Sequence, residues 1–444
     1  MKKRATRRSG TRPVPPPKAE DVERALQRSF GTKVVDELRE GSSYNPRQRV
    51  ATAHRLLLTV VEAFLVGQTL SFAALRAIFV RRFGFVRPCP FQKRFKQEAA
   101  VAFFRAALEH LVESVVSAAG LELKGPLSRF VDVRVYDGTG QRVPPRGREQ
   151  LPGCTKGRAG TKCLVGYSIK TGLIEHAGLA AETASETPLC KELISNFSRG
   201  VLYLFDLGFF ERRLFAEAQQ AGAHVLMRLK QSAKVRVVGH FDGRRVEEIP
   251  DWSLNYFLGS MRSRRRGTLF DLDVLWGHGR EQLRLRLVGV AHTSTNIRWY
   301  LTTVSRSTLG ARDIVQAYRL RWLIELLFRE LKQNADLGRS FTADANAVAA
   351  LTYGAAIAHV VVRSLRIQAA LANEVPLEQL RPLACLHVTR AFAREIVDAL
   401  AAPTRHAAKP LIQAVRHVLV ALARELKPSR SRQRIALKLG AIGA

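Results

Sequence analysis

The chain has 444 residues, of which 71 are Lys or Arg and 38 are Asp or Glu, giving a formal net charge of +33. Because 46% of the residues are hydrophobic, the composition excludes a disordered basic tail and favours a folded protein with a polyanionic partner. The N-terminal sequence lacks the apolar segment of a signal peptide. The longest apolar run, residues 347–362, is shorter than a membrane-spanning helix. We expect that run to be a buried core helix, in a cytoplasmic protein without a membrane partner.

The first 125 residues are predicted to be a basic arm followed by helices. Residues 1–20 hold six cations in their first twelve positions and then a run of prolines, which is typical of a disordered arm that can contact phosphates. Residues 21–125 have helical periodicity, with Ser71 and Gly84 as good caps of one helix and a further helix at 89–120. The basic start of that last helix is typical of a helix-turn-helix DNA reader, and a simple helical bundle has the same pattern. We expect a helical DNA-binding domain.

Residues 126–345 are predicted to form an α/β domain. Apolar segments come in the order of three strands, a helix at 186–197, a strand, a helix and a strand, which describes a mixed sheet covered on both faces. Within this domain, residues 232–303 alternate polar and apolar side chains between Gly-containing turns, so we expect a largely antiparallel insertion. Residues 346–444 are predicted to be helical.

Two aspartates follow the most apolar strands of this sheet. Asp137 comes after "VRVY" and Asp206 after "LYLF", so both lie at the C-terminal ends of strands, the edge where open α/β sheets bind ligands. A turn also explains each of them, since Asp-Gly at 137–138 is a common turn dipeptide. Their equivalent positions make a shared site an equal alternative.

The segment "YRLRWLIELLFRELK", residues 318–332, is predicted to be one amphipathic helix. At about 100° per residue, Tyr318, Arg321, Glu325 and Lys332 share one side, and aliphatic residues fill the other. An ion pair between Arg321 and Glu325, four residues apart, would support any exposed helix. It does not explain why aromatic residues lie beside this stripe.

Together, Asp137, Asp206 and Glu325 have the chemistry of a divalent-metal site. Carboxylate oxygens suit Mg²⁺, whereas the five cysteines and eleven histidines form no CxxC or HExxH pair that would favour zinc. Two such ions about 4 Å apart would activate a water or 3′-hydroxyl and stabilise the leaving oxygen in an in-line displacement at phosphorus. Because the rest of the chain is strongly basic, these residues indicate DNA as the substrate.

The polar stripe of residues 318–332 resembles the YREK signature of bacterial insertion-sequence transposases of the DDE type, in the group named after insertion sequence four. The four matching residues are Tyr318, Arg321, Glu325 and Lys332. Asp137 in "YDGTG" and Asp206 in "FDLGFF" are similar to the two catalytic aspartates of that family. The likeness runs from about 130 to 340.

The resemblance implies a ribonuclease-H-like mixed sheet with a β-rich insertion, flanked by helical N- and C-terminal regions. It implies a cut-and-paste transposase that hydrolyses DNA at the element ends and joins the 3′-hydroxyl to target DNA. Two Mg²⁺ ions, which Mn²⁺ can replace, would bind Asp137, Asp206 and Glu325. The partners would be double-stranded DNA, as terminal inverted repeats and target, and a second copy of the chain. Residues 346–444 are a candidate region for both dimer and DNA contacts, and the sequence does not tell which helices form the dimer. A bacterial cytoplasmic enzyme associated with the nucleoid is expected.

The same resemblance implies DNA contacts at Tyr318, Arg321, Lys332, Arg228, Lys230 and Trp299. Arg228 and Lys230 belong to a basic strand after the second aspartate. Trp299 matches the place where some members stack a flipped base, and packing against a neighbouring strand explains it equally well.

Two other functions stay open from the sequence. A non-catalytic DNA-binding protein would explain the charge, since phosphate binding needs only Lys and Arg. It would not need three carboxylates, which weaken DNA binding unless metals occupy them. A metal-dependent nuclease without strand transfer would keep the same carboxylates.

Overall fold

A ten-stranded sheet lies at the centre of the molecule, in a computed structural model that describes residues 18–45, 50–67, 70–184, 197–261, 265–293, 296–334, 338–402, 413 and 415–421. Most of the predicted arm at 1–20, most of the predicted helix at 186–197 and much of the C-terminal region lie outside these residues.

Six helices precede the sheet in the described part: α1 (Ala19–Ser29), α2 (Thr32–Gly41), α3 (Ala53–Val66), α4 (Phe72–Phe83), α5 (Pro88–Lys93) and α6 (Glu98–Ala119). The predicted caps are present, since the Ser71 hydroxyl accepts the N–H of Ala74 and Gly84 ends α4. The single helix predicted at 89–120 is wrong, because a turn separates α5 from α6. Lys93 and Lys96 bring like charges three residues apart at this point, which weakens a continuous helix.

The strands are β1 (Asp132–Val143), β2 (Ala159–Ser168), β3 (Ile174–Ala181), β4 (Val201–Phe205), β5 (His224–Arg228), β6 (Val235–Phe241), β7 (Val246–Ser253), β8 (Leu269–Trp276), β9 (Leu283–Ala291) and β10 (Ile297–Thr302). Their order across the sheet is β3-β2-β1-β4-β5-β10-β9-β8-β6-β7. β1, β4 and β5 are parallel, and the other neighbours pair antiparallel. Apolar clusters cover both faces of the sheet, so the predicted α/β class with a mixed sheet is confirmed.

The insertion at 232–303 is antiparallel, as its alternating pattern predicts. Strands β6 to β9 extend the sheet beyond β5, and the short helix α8 (Leu254–Ser260) lies between β7 and β8 in the sequence. β10 links this part to the rest of the sheet, because it pairs with β5 on one side and β9 on the other. Helix α7 (Arg212–Gln220) packs against β5. The insertion therefore continues the central sheet.

The helices after the sheet are α9 (Ala311–Arg319), α10 (Trp322–Asn334), α11 (Ala345–Ala372), α12 (Pro382–Ala391) and α13 (Ala393–Ala401). α11 is long and apolar enough to cross a membrane by length and composition, yet 72% of its most apolar window is buried inside the protein. It packs against α1, α3, α6 and β3. The run at 347–362 is thus part of a core helix, as predicted.

A buried ion pair fixes the insertion to the segment that starts α9. Arg286 on β9 donates two hydrogen bonds to Asp271 on β8, at 2.9 and 2.7 Å, and both side chains are more than nine-tenths buried. The same guanidinium donates to the carbonyl of Leu309 at 2.6 Å. Because α9 begins two residues later, this pair sets where α9 leaves the sheet.

We predict that Arg286→Met destabilises the protein, because Asp271 would lose its bidentate partner in a buried place. Arg306 still contacts Asp271 at 3.0 Å, so we expect the lower end of the about 3–5 kcal/mol that breaking a buried pair costs. Thermal unfolding checks this. The control is Arg284→Met on the same strand, where the arginine is mostly exposed and we expect a change below about 1 kcal/mol. Equal effects of the two substitutions would contradict the prediction.

Candidate active site

Asp137 and Asp206 lie side by side where two parallel strands part. The last residues that β1 and β4 pair in register are Tyr136 and Phe205, and each aspartate is the next residue along its strand. β4 ends there, whereas β1 continues past Gly138 alongside β2. Asp137-Gly138 is therefore inside a strand, so the turn explanation does not hold for it. The prediction that Asp137 ends its strand is also wrong, because only the pairing of β1 with β4 ends there.

Arg321 lies between two helices. α9 ends at Arg319 and α10 begins at Trp322, so the prediction of one continuous helix over 318–332 is wrong. The backbone N–H of Ile324 donates to the carbonyl of Arg321, three residues back, which is a tighter turn than an α-helix makes. Side chains on the two sides of this junction therefore do not follow a single helical wheel.

One guanidinium joins the three carboxylates. Arg321 Nη1 lies 3.0 Å from Asp137 Oδ2, and Nη2 lies 2.6 Å from Glu325 Oε1. Its Nε lies 3.8 Å from Asp206 Oδ1. Arg321 and Asp137 are each 19% exposed, whereas Asp206 is 44% exposed. The arrangement brings residues from β1, the end of β4 and α10 around a single cation.

The three carboxylates are not arranged to hold a metal ion directly as they stand. Among the described residues, no three Asp, Glu, His or Cys side chains are grouped closely enough to do so. The reason is the arginine, because Asp137 and Glu325 bind different nitrogens of the same guanidinium and are held apart by its width. The donor set itself consists of carboxylate oxygens, which are the ligands that hard divalent cations prefer.

Burial raises the pKa of Asp137 to about 6. The N–H of Gly138, which donates to Asp137 Oδ1 at 2.8 Å, and the Arg321 guanidinium both oppose this rise. The charges of Asp206 and Glu325 add to it. Because burial is the largest cause, the raised pKa of Asp137 reports mainly a carboxyl group that is partly removed from water.

Tyr318, a predicted DNA contact, is buried under the site. Its hydroxyl donates to the carbonyl of Phe205, the residue before Asp206, at 3.5 Å, and its ring lies 5.1 Å from that of Tyr300. Burial raises the pKa of Tyr318 to about 12, so the phenol stays protonated. In this structure Tyr318 supports the end of β4, and its contact with DNA stays a prediction.

The other predicted cations are on the surface. Arg228 ends β5 and Lys230 follows it, both exposed, and Lys332 is exposed on α10. Arg228 pairs in register with Tyr300 on β10, whose ring meets Tyr318. These positions leave the three cations accessible, and their contact with DNA stays a prediction.

Trp299 lies on the other face of the sheet. Its neighbour on β10, Tyr300, faces Tyr318, and successive side chains of a strand point to opposite faces. The Trp299 ring lies over Gly289 of β9 and 5.6 Å from the ring of Phe270. Packing against neighbouring strands accounts for Trp299 here, and its role with a flipped base stays a prediction.

Sequence reasoning missed Gly138 and Tyr300. Gly138 donates its backbone N–H to a carboxylate, and Tyr300 holds Tyr318, so neither contribution has a sequence signal. The ion pair of Arg321 with Glu325 was predicted from their four-residue spacing and is present. The contacts of Arg321 with Asp137 and Asp206 were not predicted.

Residues 129–361 match the model of a family described as the transposase DDE domain. The chain is also similar to a transposase for insertion sequence element IS231F from Bacillus thuringiensis subsp. israelensis, with 20% identity over 301 residues. That match covers 60% of this chain and 63% of the relative, so it spans less than two thirds of the relative's length.

Among solved structures, the chain is similar to the one in a cryo-EM structure of the piggyBac transposase synaptic complex with hairpin DNA. The TM-score is 0.44 and the identity 14%, over 89% of this chain and 85% of that chain.

The fold and the site define a class of protein. It is an α/β protein with two aspartates where neighbouring parallel strands part and a glutamate on a later helix. The chain belongs to the transposase DDE domain family, whose model covers more than half of its length. Membership implies dependence on a divalent metal in general terms. The narrower group predicted from the YREK signature stays a prediction.

We predict that the raised pKa of Asp137 makes the metal-free protein less stable as the pH rises. In the unfolded chain the carboxyl titrates near 3.8, and in the folded protein near 6. The stabilising contribution is therefore fully present below about pH 4 and lost as the pH rises through about 6. The Asp137→Asn variant has no ionisable group at this position, so its stability does not decrease in this way as the pH rises.

Thermal unfolding in a chelator checks this prediction. The stability of Asp137→Asn relative to wild type should increase between pH 4 and pH 7, by at most about 2–3 kcal/mol. Glu37→Gln, at an exposed carboxylate on α2, serves as control and should show no such trend. A difference between Asp137→Asn and wild type that does not change with pH would contradict the assignment.

Proposed function

We propose that this protein is a cut-and-paste transposase that cuts DNA at the ends of an insertion sequence and joins those ends to target DNA. The observation that carries the proposal is the convergence of Asp137, Asp206 and Glu325 on one guanidinium. Three acidic side chains on separate elements meet at one point in a chain with a net charge of +33. A protein that only bound DNA would have no use for this cluster.

The three carboxylates are the residues that would hold the metal, proposed here as two Mg²⁺ ions that Mn²⁺ can replace. Bound there, such ions activate the attacking water or 3′-hydroxyl and stabilise the leaving oxygen of the phosphodiester. Asp137 and Asp206 are positioned for this role by the pairing of β1 with β4. Glu325 enters from the first turn of α10.

Arg321 has two possible partners in this proposal. While it binds the carboxylates, their oxygens are occupied by its N–H groups. For the carboxylates to become ligands, the guanidinium has to leave them, and a DNA phosphate is then its natural acceptor. Arg321 would thus neutralise the site when it is empty of cations and grip the backbone when DNA is cut.

The remaining cations would hold the DNA, through Lys332, Arg228 and Lys230. Tyr318 would support the strand end that carries Asp206, and Trp299 would act from the other face if excision includes a flipped base. The partners proposed are double-stranded DNA, as terminal inverted repeats and as target, and a second copy of the chain. A homodimer associated with the bacterial nucleoid is the form in which it would act.

A metal-dependent nuclease without strand transfer is the alternative that the same site allows. It differs in the fate of the 3′-hydroxyl, because a nuclease releases a cut end and a transposase joins it to a second duplex. Incubation with Mg²⁺, a pre-cut end carrying a 3′-hydroxyl and a supercoiled plasmid separates the two. Joined products support the transposase, and cutting without joining supports the nuclease.

We predict that Asp137→Asn, Asp206→Asn and Glu325→Gln each reduce cleavage by at least about a thousandfold, because each removes a metal ligand. Binding of a duplex with the inverted repeat should stay within about threefold of wild type, since the phosphate contacts come from cations. Denaturing gels measure cleavage, and gel shifts in a chelator measure binding. The control is Glu113→Gln, an exposed carboxylate on α6, which should cut normally. A triad variant that cuts at the wild-type rate would refute the assigned role of that residue.

We also predict that Arg321→Met increases the affinity for divalent cations in the absence of DNA, because it removes the cation that competes for the carboxylates. The expected gain is about tenfold, which corresponds to roughly 1.4 kcal/mol. Calorimetric titration with Mn²⁺ measures it directly. Arg319→Met, an exposed arginine at the end of α9 that donates to Gln316, should leave the affinity unchanged. Equal or weaker binding by Arg321→Met would show that the guanidinium does not compete.

A further inference from the structure

Two arginines lie next to each other beyond the catalytic end of β1. Arg142 near the end of β1 pairs with the segment that follows α10, in parallel register with Arg339. Its N–H donates to the carbonyl of Gly338 at 3.0 Å, and its carbonyl accepts the N–H of Ser340 at 2.7 Å. Residues in register on neighbouring strands point to the same face, so the two guanidinium groups share one surface.

Both arginines of this pair are exposed, and neither forms an ion pair in the described part of the chain. One carboxylate lies on the same face: Glu182 covers Gly160, the residue of β2 that pairs in register with Arg142. Like charges directly opposite each other on neighbouring strands are destabilising. A site that keeps this repulsion is suited to a partner that brings negative charge.

The connection between β1 and β2 adds further positive charge. The exposed arginines of the end of β1, of this connection and of the segment paired with β1, named the hairpin platform from here on, are Arg142, Arg146, Arg148, Arg158 and Arg339, and Lys156 of the connection is exposed as well. Glu149 is the exposed carboxylate among them. Glu182 also approaches the connection, and one of its oxygens accepts the backbone N–H of Cys154 at 3.2 Å.

The hairpin platform has a packed base. Val143, Leu151 and Ala159 form a small buried cluster with Val348 of α11. Gly147 lies so close to the backbone of residue 343 that a Cβ there would come within 2.8 Å of its carbonyl oxygen. Cations on such a frame lose less conformational freedom on binding than cations on a mobile loop.

Lys332, a predicted phosphate contact, lies near the same strand pairing but on the opposite face from Arg142 and Arg339. A Cβ at Gly338 would lie 3.7 Å from Cγ of Lys332, so the stem of that lysine lies against the residue whose carbonyl accepts the N–H of Arg142, and residue 338 faces the other way from residue 339. Five residues separate Asp137 from Arg142 on β1, or about 17 Å of strand. Their odd separation places the two side chains on opposite faces, so the platform lies outside the carboxylate site.

We propose that the hairpin platform binds the phosphate backbone of duplex DNA outside the site of cutting. This inference rests on the proposed function, and it adds a surface that the carboxylates and the YREK residues do not include. The duplex has two sources, the element end itself and the target DNA. Both present the same phosphates, so the chemistry is common to them.

The test measures DNA affinity against salt concentration for Arg142→Gln/Arg339→Gln in the full chain. Each lost phosphate contact reduces the slope of log K against log salt by about 0.9, so the double variant should lose about 1.8. Arg142→Lys/Arg339→Lys keeps the charge and should retain most of the slope. Arg244→Gln/Arg245→Gln, two exposed arginines in the turn between β6 and β7, removes the same charge at the far edge of the sheet and is the matched control.

Two arms distinguish the sources of DNA. In the first, a 40-base-pair duplex with the inverted repeat is bound in a chelator, and in the second, unrelated duplex is added to the preformed end complex. A loss confined to the first arm assigns the platform to the element end, and a loss confined to the second assigns it to target DNA. Wild-type slopes in both arms would overturn the proposal.

Folding and the proposed function are checked separately. Without DNA, Arg142→Gln/Arg339→Gln should unfold at a midpoint equal to or higher than that of wild type, because it removes a pair of like charges. A lower midpoint would mean that the two arginines stabilise the fold. Arg146→Gln/Arg148→Gln, which leaves the strand pairing intact, then provides the slope measurement and must also lose about 1.8. If wild type cuts DNA and both variants keep its slope, only the platform is refuted. If wild type neither binds nor cuts DNA, both the platform and the proposed function are refuted.

Discussion

The guanidinium of Arg321 is the interaction on which the candidate site depends. Three ionised carboxylates from β1, the end of β4 and α10 repel one another, and a cation placed between them offsets that repulsion. The chain supplies that cation itself, and Arg321 contacts all three. Its position in the junction between α9 and α10 lets it reach two strand ends and a helix at once.

The fold places this guanidinium through a series of contacts between distant parts of the sequence. The insertion is joined to the start of α9 by Arg286, which binds both Asp271 and the carbonyl of Leu309. α9 packs against β8 and β9 and carries Tyr318 to the carbonyl of Phe205. The β-rich insertion therefore has a structural part in the site although it supplies none of the three acids.

Much of this was predictable from the sequence. The apolar runs before Asp137 and Asp206 predict neighbouring buried strands, and the alternating pattern of 232–303 predicts antiparallel pairing. The break between α9 and α10 at Arg321 was not predictable. A helical wheel assumes a continuous helix, and residues 318–332 include no Gly or Pro that would mark a junction. The burial of Tyr318 follows from that break. Register is also a tertiary property, so the pairing of Arg142 with Arg339 could not be read from either segment alone.

A basic protein with an acidic site has to reconcile two demands. The net charge of +33 attracts a polyanion, while three carboxylates would repel the phosphate that the proposed reaction cuts. In the structure, Arg321 pairs with the carboxylates and neutralises part of their charge, so that the site carries less exposed negative charge. Under the proposed function, the same pairing withholds both the proposed metal ligands and the arginine proposed to bind phosphate. Release of Arg321 would provide both together, and the affinity for cations and the grip on DNA would then change in the same step. This coupling requires no movement of the sheet, because the pairing of β1 with β4 already holds the aspartates in place.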